Sequence, residues 1–443
     1  MRDWKHDKAL HAASDTEDLI ISPGCIDKVP EVLEKRFGQT EALIVADENT
    51  FAVAGRAVER SLKGSVKDTL VFPGEPELPA DYSNVEIVRN FLKDKRGGIV
   101  AVGSGTINDL VKVAAYQTGR RYLVVPTAAS VDGYAAFGAA ITREGYKQTL
   151  SCPAPASILA DTAVLQTAPA PMTAAGYGDL AGKVTAGADW IIADILSLEP
   201  IDPLSWELVQ QDLRSWIAKP ADLVQGDSQA LEKLFEGLII SGFAMQSYRG
   251  TRPASGTEHL FSHLWEMLHL ELDGRAVSHG FKVSLGSLAA TAFTELVFSR
   301  NIEKLDIERR CAEWPSREER ASEVTKLFSQ TPICEQVVST SLAKHIDGDS
   351  LREKLKAVKS SWNLMKERVE AQLLPYSEIK ALLSDAGCPT RPEHIGLSKD
   401  SVRGIVRKVQ MIRDRYTVLD LAFELGWLED CAEELYSSTA YLT

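Results

Sequence analysis

Four of the eight histidines in this 443-residue chain lie between residues 259 and 279, at His259, His263, His269 and His279. His259 and His263 are four apart, which puts both imidazoles on one face of a helix. His279 stands just before Gly280, at the expected start of another helix, so nitrogens from two directions could meet one metal ion. Asp179, in AGYGDLAGKVTAGADW, opens the first helix of the second half of the chain. With His259 and His279 it makes three protein ligands, the number a catalytic zinc site keeps while leaving a position open for water or substrate. Metal contact would acidify a bound hydroxyl, as hydride removal from an alcohol carbon requires. His263 then falls beside the open position as a proton shuttle or substrate partner, a catalytic candidate together with Asp179. Glu258 and Glu266 are candidates to orient the imidazoles, with solvated helix charge as the alternative. His269 lies off the His259/His263 face. An i,i+4 histidine pair also arises by chance on exposed helices, so scattered surface or capping histidines stand as the other reading.

GGIVAVGSGTINDLVKVAA reads as strand, glycine loop, helix. Gly103 and Gly105 let backbone approach a ligand closely, and the helix after Ser104, Thr106 and Ile107 offers unpaired amides and its positive dipole end. A pyrophosphate would sit there, with a mere tight strand-to-helix turn as the alternative. The dinucleotide fingerprint G-x-G-x-x-G is not met, because Asn108 occupies the third glycine position. Asp47 ends the strand EALIVAD, where a carboxylate could accept from ribose hydroxyls and favour NAD over its 2′-phosphorylated form. The alternative is a turn or cap residue. In VVPTAASVDGYAAFGAAIT, the hydroxyls of Thr127 and Ser130 could reach the cofactor, and Asp132 would face a ligand lying across the strand ends. Hydroxyls satisfied by local backbone are the alternative there.

These residues need elements to hold them. Five β-rich runs, DLIIS, EALIVAD, DTLVFPG, GGIVAVG and RYLVVP, alternate with helical patterns in the first part of the chain. That alternation predicts an α/β, Rossmann-like, nucleotide-binding domain with a parallel sheet over residues 1–165. Beyond a Pro/Ala-rich stretch near 165 the strand-like runs stop. An all-helical metal- and substrate-binding domain is expected over 166–443, with core helices near 228–249, 256–272 and 279–299 and more charged, outward-facing helices after 300.

A net charge of −13 argues against nucleic acid or an anionic membrane surface as partner. No apolar run approaches the roughly 20 residues of a spanning helix. The charged N-terminal stretch MRDWKHDKALHAASDTEDL has no apolar core of a secretion signal. Six dispersed cysteines without a CxxC pair read as free thiols of a reducing cytoplasm. A cytoplasmic homo-oligomer acting on a small molecule is the expectation.

The ordered series GSGT-x-x-D, T-A-A-S-x-D-G, G-D-x-x-x-K, S-G-x-E-H-x-x-x-H and H-G-x-x-V resembles the dehydroquinate-synthase-like superfamily, which includes metal-dependent glycerol dehydrogenases and iron-containing alcohol dehydrogenases. Within it, VDGYAAFGAAITREGYKQTL, PASILAD and RPASGTEHLFSH are similar to the glycerol-1-phosphate dehydrogenases, over roughly residues 20–290. The resemblance implies a divalent ion on Asp179, His259 and His279. It implies nicotinamide cofactor at Asp47, Gly103 to Ile107, Thr127 and Ser130, and substrate at Asp132, Asp179 and His263. Ala136 stands where the family commonly has Ser, which removes one cofactor hydroxyl contact. The expected reaction is NAD(P)- and metal-dependent reduction of dihydroxyacetone phosphate to sn-glycerol 1-phosphate, with zinc, nickel or iron as the ion. Arg252 and Lys147 are the cations best placed for the phosphate. The alternatives are a glycerol or polyol dehydrogenase without phosphate, a dehydroquinate-synthase-like lyase with transient NAD redox, and a non-catalytic nucleotide or metal sensor.

Overall fold

The computed structural model describes residues 4–144, 146–398, 401–402 and 404–441. All five expected strands form, as β1 (Asp18–Ile21), β2 (Ala42–Asp47), β3 (Val66–Phe72), β4 (Gly98–Gly103) and β5 (Tyr122–Pro126). Among the described residues five more lie in segments not read as strands, two of them the short antiparallel pair β9 (Glu271–Leu272) and β10 (Arg275–Ala276) within the stretch expected to be all helical. β6 (Ala139–Arg143) and β7 (Tyr146–Leu150) make an antiparallel hairpin, and β8 (Ser157–Ala160) joins the main sheet. The six-stranded sheet is parallel throughout, in the order β1-β8-β5-β4-β2-β3. β4, β5 and β8 are buried along their whole length, which matches their unbroken apolar sequences and the helices that cover both faces of such a sheet. On one face, alternate residues Ile44, Ala46, Val100, Val102, Leu123, Val125 and Leu159 pack with Val29, Val32, Leu33 and Val58 of the flanking helices.

The helices used below are α1 (Val29–Phe37), α2 (Tyr82–Leu92), α3 (Gly105–Gln117), α4 (Ala170–Ala181), α5 (Lys183–Ile195), α6 (Ser228–Tyr248), α7 (Thr257–Met267), α8 (His279–Ser299), α9 (Gly348–Gln372) and α10 (Val418–Leu425). From β2 the chain crosses outward to β3, then returns to the other side of β2 as β4 and continues to β5. The loops after β2 and β4 therefore leave in opposite directions, which opens a crevice at the carboxyl ends of these two strands, where ligands bind in folds of this kind. Asp47 and Gly103 are the last residues of those strands.

Two compact units divide the chain, and neither is a continuous stretch. One comprises Met1–Leu180 with Leu204–Thr251, the other Ala181–Pro203 with Arg252–Thr443. The division thus differs from the expected one at 165/166. The helical texture begins there, but α4 and α6 pack within the sheet-bearing unit. A Cβ on Gly176 of α4 would lie 1.9 Å from the carbonyl oxygen of Ala129, and one on Gly242 of α6 would lie 2.7 Å from Cβ of Ala135. Only glycine allows both helices to press so closely on the loop after β5.

In the helical unit, α8 is long and apolar enough to cross a membrane by length and composition, which the sequence reading did not anticipate. Its mean hydropathy is 1.3, and 89% of the apolar stretch is buried, as in the core helix of a globular unit. The more charged helices beyond residue 300 bury one stripe each. On α9 that stripe is Leu351, Leu355, Val358, Trp362, Met365 and Val369, at helical spacing.

Candidate active site

In the sheet-bearing unit the expected cofactor residues gather on the strand ends. Ser104 is the N-cap of α3, and the first bond of that helix runs from the Asn108 amide to the Ser104 carbonyl. The amides of Gly105, Thr106 and Ile107 precede it and have no place in the helical ladder, so the loop presents donors to an anion. A Cβ on Gly103 would lie 2.6 Å from Cβ of Ile107, so glycine is required for the chain to turn this tightly. Asn108 is buried because its Oδ1 accepts from the Tyr122 hydroxyl at 2.8 Å. Asp47 acts as a helix cap: its Oδ1 accepts from the Thr50 amide at 2.8 Å, and its own amide donates to the Thr50 hydroxyl.

Thr127, Ser130 and Asp132 are buried on a loop tied down from several sides. The Thr127 amide donates to the Gly103 carbonyl at 3.2 Å, which joins this loop to the glycine loop. Asp179 lies on the last turn of α4 and does not open a helix as expected; its Oδ2 accepts the Asp132 amide at 2.9 Å. The Ser241 hydroxyl of α6 donates to Asp132 at 3.3 Å. Asp132 and Asp179, both expected to meet substrate, are thus brought together. Sequence reading missed Lys112. Its ammonium, buried on α3, donates to the carbonyls of Gly133, Ala136 and Gly138 at 2.9, 3.1 and 2.9 Å. The signal was present in LVKVAA, a lysine inside an apolar helical run whose other members are all buried.

In the helical unit three imidazoles form a triangle. Ring centroids are 5.3 Å apart for His259 and His279, 6.0 Å for His259 and His263, and 6.3 Å for His263 and His279. His259 and His263 lie one turn apart on α7, and His279 begins α8. A Cβ on Gly286 of α8 would lie 2.3 Å from the Glu258 carbonyl oxygen, so glycine brings the two helices into backbone contact. Nδ1 of His259 lies 2.7 Å from Glu258 Oε1, and Nδ1 of His279 lies 2.9 Å from Glu266 Oε1. Nε2 is the second nitrogen of each ring, and two such imidazoles side by side suit a tetrahedral or octahedral ion. His259 and His279 belong to the helical unit, and Asp179 to the sheet-bearing one.

Electrostatics separate these groups. Burial raises the Glu258 carboxyl, and hydrogen bonds from His259, Gly256 and Thr185 overcome it, leaving the group below its ordinary range and ionised. Burial, and then the Arg413 charge, push His263 well below the usual histidine range. Its imidazole is therefore neutral, and its Nδ1 is buried without a hydrogen-bond partner among the described residues. Burial pushes Asp189 of α5 up to about 6, against the pull of Arg252. Asp189 went unnoticed in the sequence, yet it accepts the Thr257 amide at 2.6 Å and the Val418 amide at 2.7 Å, fixing the starts of α7 and α10.

Arg252 does not stand free for a phosphate. It is 1% exposed, donates to the carbonyls of Tyr416 and Asp189 at 3.0 and 2.8 Å, and pairs with Glu199 at 3.2 Å. Its guanidinium braces the helical unit. Lys147 is half-buried on β7, opposite Thr142.

Residues 20–169 match the family model described as iron-containing alcohol dehydrogenase. The chain is similar to a glycerol-1-phosphate dehydrogenase (NAD(P)+) of Bacillus velezensis, 31% identical over 412 residues, which cover 92% of this chain and 91% of that protein. A protein of the same name from Halalkalibacterium halodurans is 35% identical over 298 residues, 66% of this chain and 74% of the relative. Among solved structures, a probable glycerol dehydrogenase from Sinorhizobium meliloti shares the fold, with a TM-score of 0.59 at 19% identity over 96% of this chain and 99% of that one.

Proposed function

Because the chain belongs to the glycerol-1-phosphate dehydrogenase family, we propose that it interconverts dihydroxyacetone phosphate and sn-glycerol 1-phosphate by hydride transfer with NAD(H) or NADP(H), assisted by one divalent ion. It is an NAD(P)-dependent alcohol dehydrogenase, and the finer assignment concerns substrate, direction and metal. The observation that carries it is the facing pair His259 and His279, each with Nδ1 tied to a carboxylate.

Asp179, His259 and His279 would hold the ion, and zinc, nickel or iron suits such a donor set. When bound, the ion supplies Lewis acidity toward the carbonyl or alcohol oxygen. The amides that follow Gly103 and Ser104, through Gly105, Thr106 and Ile107, take the cofactor phosphates; Thr127 and Ser130 offer hydroxyls to it, and Asp47 meets its ribose. Asp132 and Asp179 orient the substrate hydroxyls. His263, kept neutral by burial, exchanges a proton with the substrate. Lys147 is the cation proposed to meet a phosphate.

Engagement of Arg252 within its own unit favours a second reading, a dehydrogenase of unphosphorylated glycerol or another polyol. NADH consumption with dihydroxyacetone phosphate and with dihydroxyacetone, measured side by side, separates the two. Charge-assisted bonds contribute about 1.5–3 kcal/mol each, so the phosphorylated ketone should have a kcat/KM higher by roughly 10-fold or more. Equal or reversed preference would replace the first reading by the second. No net NADH change with either ketone would set both aside.

A further inference from the structure

We infer that Glu258 and Glu266 are positioning residues that hold His259 and His279 in the tautomer with hydrogen on Nδ1, so that Nε2 of both rings faces one divalent ion. The inference rests on reading those two histidines as ligands. A neutral imidazole carries one ring hydrogen, and an ionised carboxylate can only accept. A carboxylate 2.7 Å from Nδ1 of His259, and another 2.9 Å from Nδ1 of His279, therefore fix the hydrogen on Nδ1 and leave the Nε2 lone pair outward. The same bonds stop each ring from turning about its Cβ–Cγ bond, and they draw density onto the ring, which makes Nε2 a stronger donor.

The two carboxylates are built differently. Glu258 is completely buried. Its Oε1 also accepts the Gly256 amide at 2.6 Å, and its Oε2 accepts the Thr185 hydroxyl of α5 at 2.8 Å. Its position is set from its own helix, from the turn before it and from a separate helix, and those two further partners are neutral. Gly256 must lack a side chain for this, since a Cβ there would lie 2.6 Å from Asp189 Oδ2 and 3.0 Å from Glu258 Oε2. Glu266 instead divides its charge between His279 and the Lys282 ammonium at 3.3 Å. An ammonium neutralises part of the charge that the imidazole would otherwise feel. Glu258 should therefore strengthen its histidine more than Glu266 does.

The test is zinc binding to metal-stripped, full-length protein in competition with a chelating dye, with NADH binding followed separately by fluorescence. Glu258→Gln should weaken zinc binding by about 10–100-fold, the range for residues behind a metal ligand. Glu266→Gln should weaken it less, and NADH binding should be unchanged in both. Thr185→Val removes one bond to Glu258 without touching charge and should give a smaller loss, so the inference stays testable if Glu258→Gln does not fold. In the metal-free parent, nitrogen NMR of labelled histidine should place hydrogen on Nδ1 of His259 and His279. Hydrogen on Nε2 would overturn the inference, as would parental zinc affinity in both glutamine variants while His259→Ala and His279→Ala lose the ion. If the two alanine variants still bind zinc with parental affinity, the ligand reading itself falls.

Discussion

Asp47 caps a helix and carries the proposed ribose contact as well. Its Oδ1 closes a reciprocal cap with Thr50, while its place at the end of β2, beside the point where the strand order reverses, suits a ribose. Truncating it would mix the two effects, because losing a cap costs about 1 kcal/mol by itself. Asn caps as well as Asp and carries no charge, so Asp47→Asn isolates the electrostatic part. The variant should melt within a degree or two of the parent and use NADPH better relative to NADH, since a carboxylate repels a 2′-phosphate. An unchanged ratio of the two kcat/KM values would leave Asp47 as a cap alone. Side-chain type and local spacing made His259, His263, His279 and the glycine loop legible in the sequence, because each signal is complete within a few residues. Lys112 and Asp189 act on carbonyls and amides 21 to 229 positions away, and no local pattern encodes such partners.

Arg252 belongs to the scale of elements. Together with Asp189 it joins the middle of α5 to the turn that starts α10: the guanidinium binds the carbonyls of Asp189 and Tyr416, and the Asp189 carboxylate binds the Val418 amide. Arg252→Met removes the donor to those carbonyls and one cation beside the Glu199 carboxylate. Removing one member of a buried charged group costs roughly 3 kcal/mol or more, so thermal unfolding should move down by several degrees. Activity on dihydroxyacetone phosphate and on dihydroxyacetone should fall together. A selective rise in KM for the phosphorylated ketone, with unfolding unchanged, would restore Arg252 as a phosphate ligand. The strands were readable for the opposite reason. Buried parallel strands need continuous apolar runs, and β2, β4 and β5 display them. β8 was missed because SILA is short and sits in a Pro/Ala-rich stretch that reads as a boundary.

At the scale of the whole molecule, the segment Leu204–Thr251 completes the unit that begins at the N-terminus. α6 supplies Ser241 to Asp132, and Gln246 to the Thr16 hydroxyl and the Ala135 carbonyl. A fragment ending at residue 180 lacks all three bonds and exposes the apolar face that α6 covers. It should show helix in the far-ultraviolet dichroism, weak near-ultraviolet signal and binding of a hydrophobic dye, the marks of a loosely packed state. A sharp, cooperative melt of that fragment would show that α6 is dispensable. The interleaving also sets an order in time. During synthesis, the ribosome must release residues 181–203, which belong to the other unit, before it delivers the helix that finishes the first. The nascent sheet therefore waits about 70 residues for its closing piece, several seconds at ordinary translation rates of roughly 5–20 residues per second, and its exposed surface in that interval is where a chaperone would find this chain.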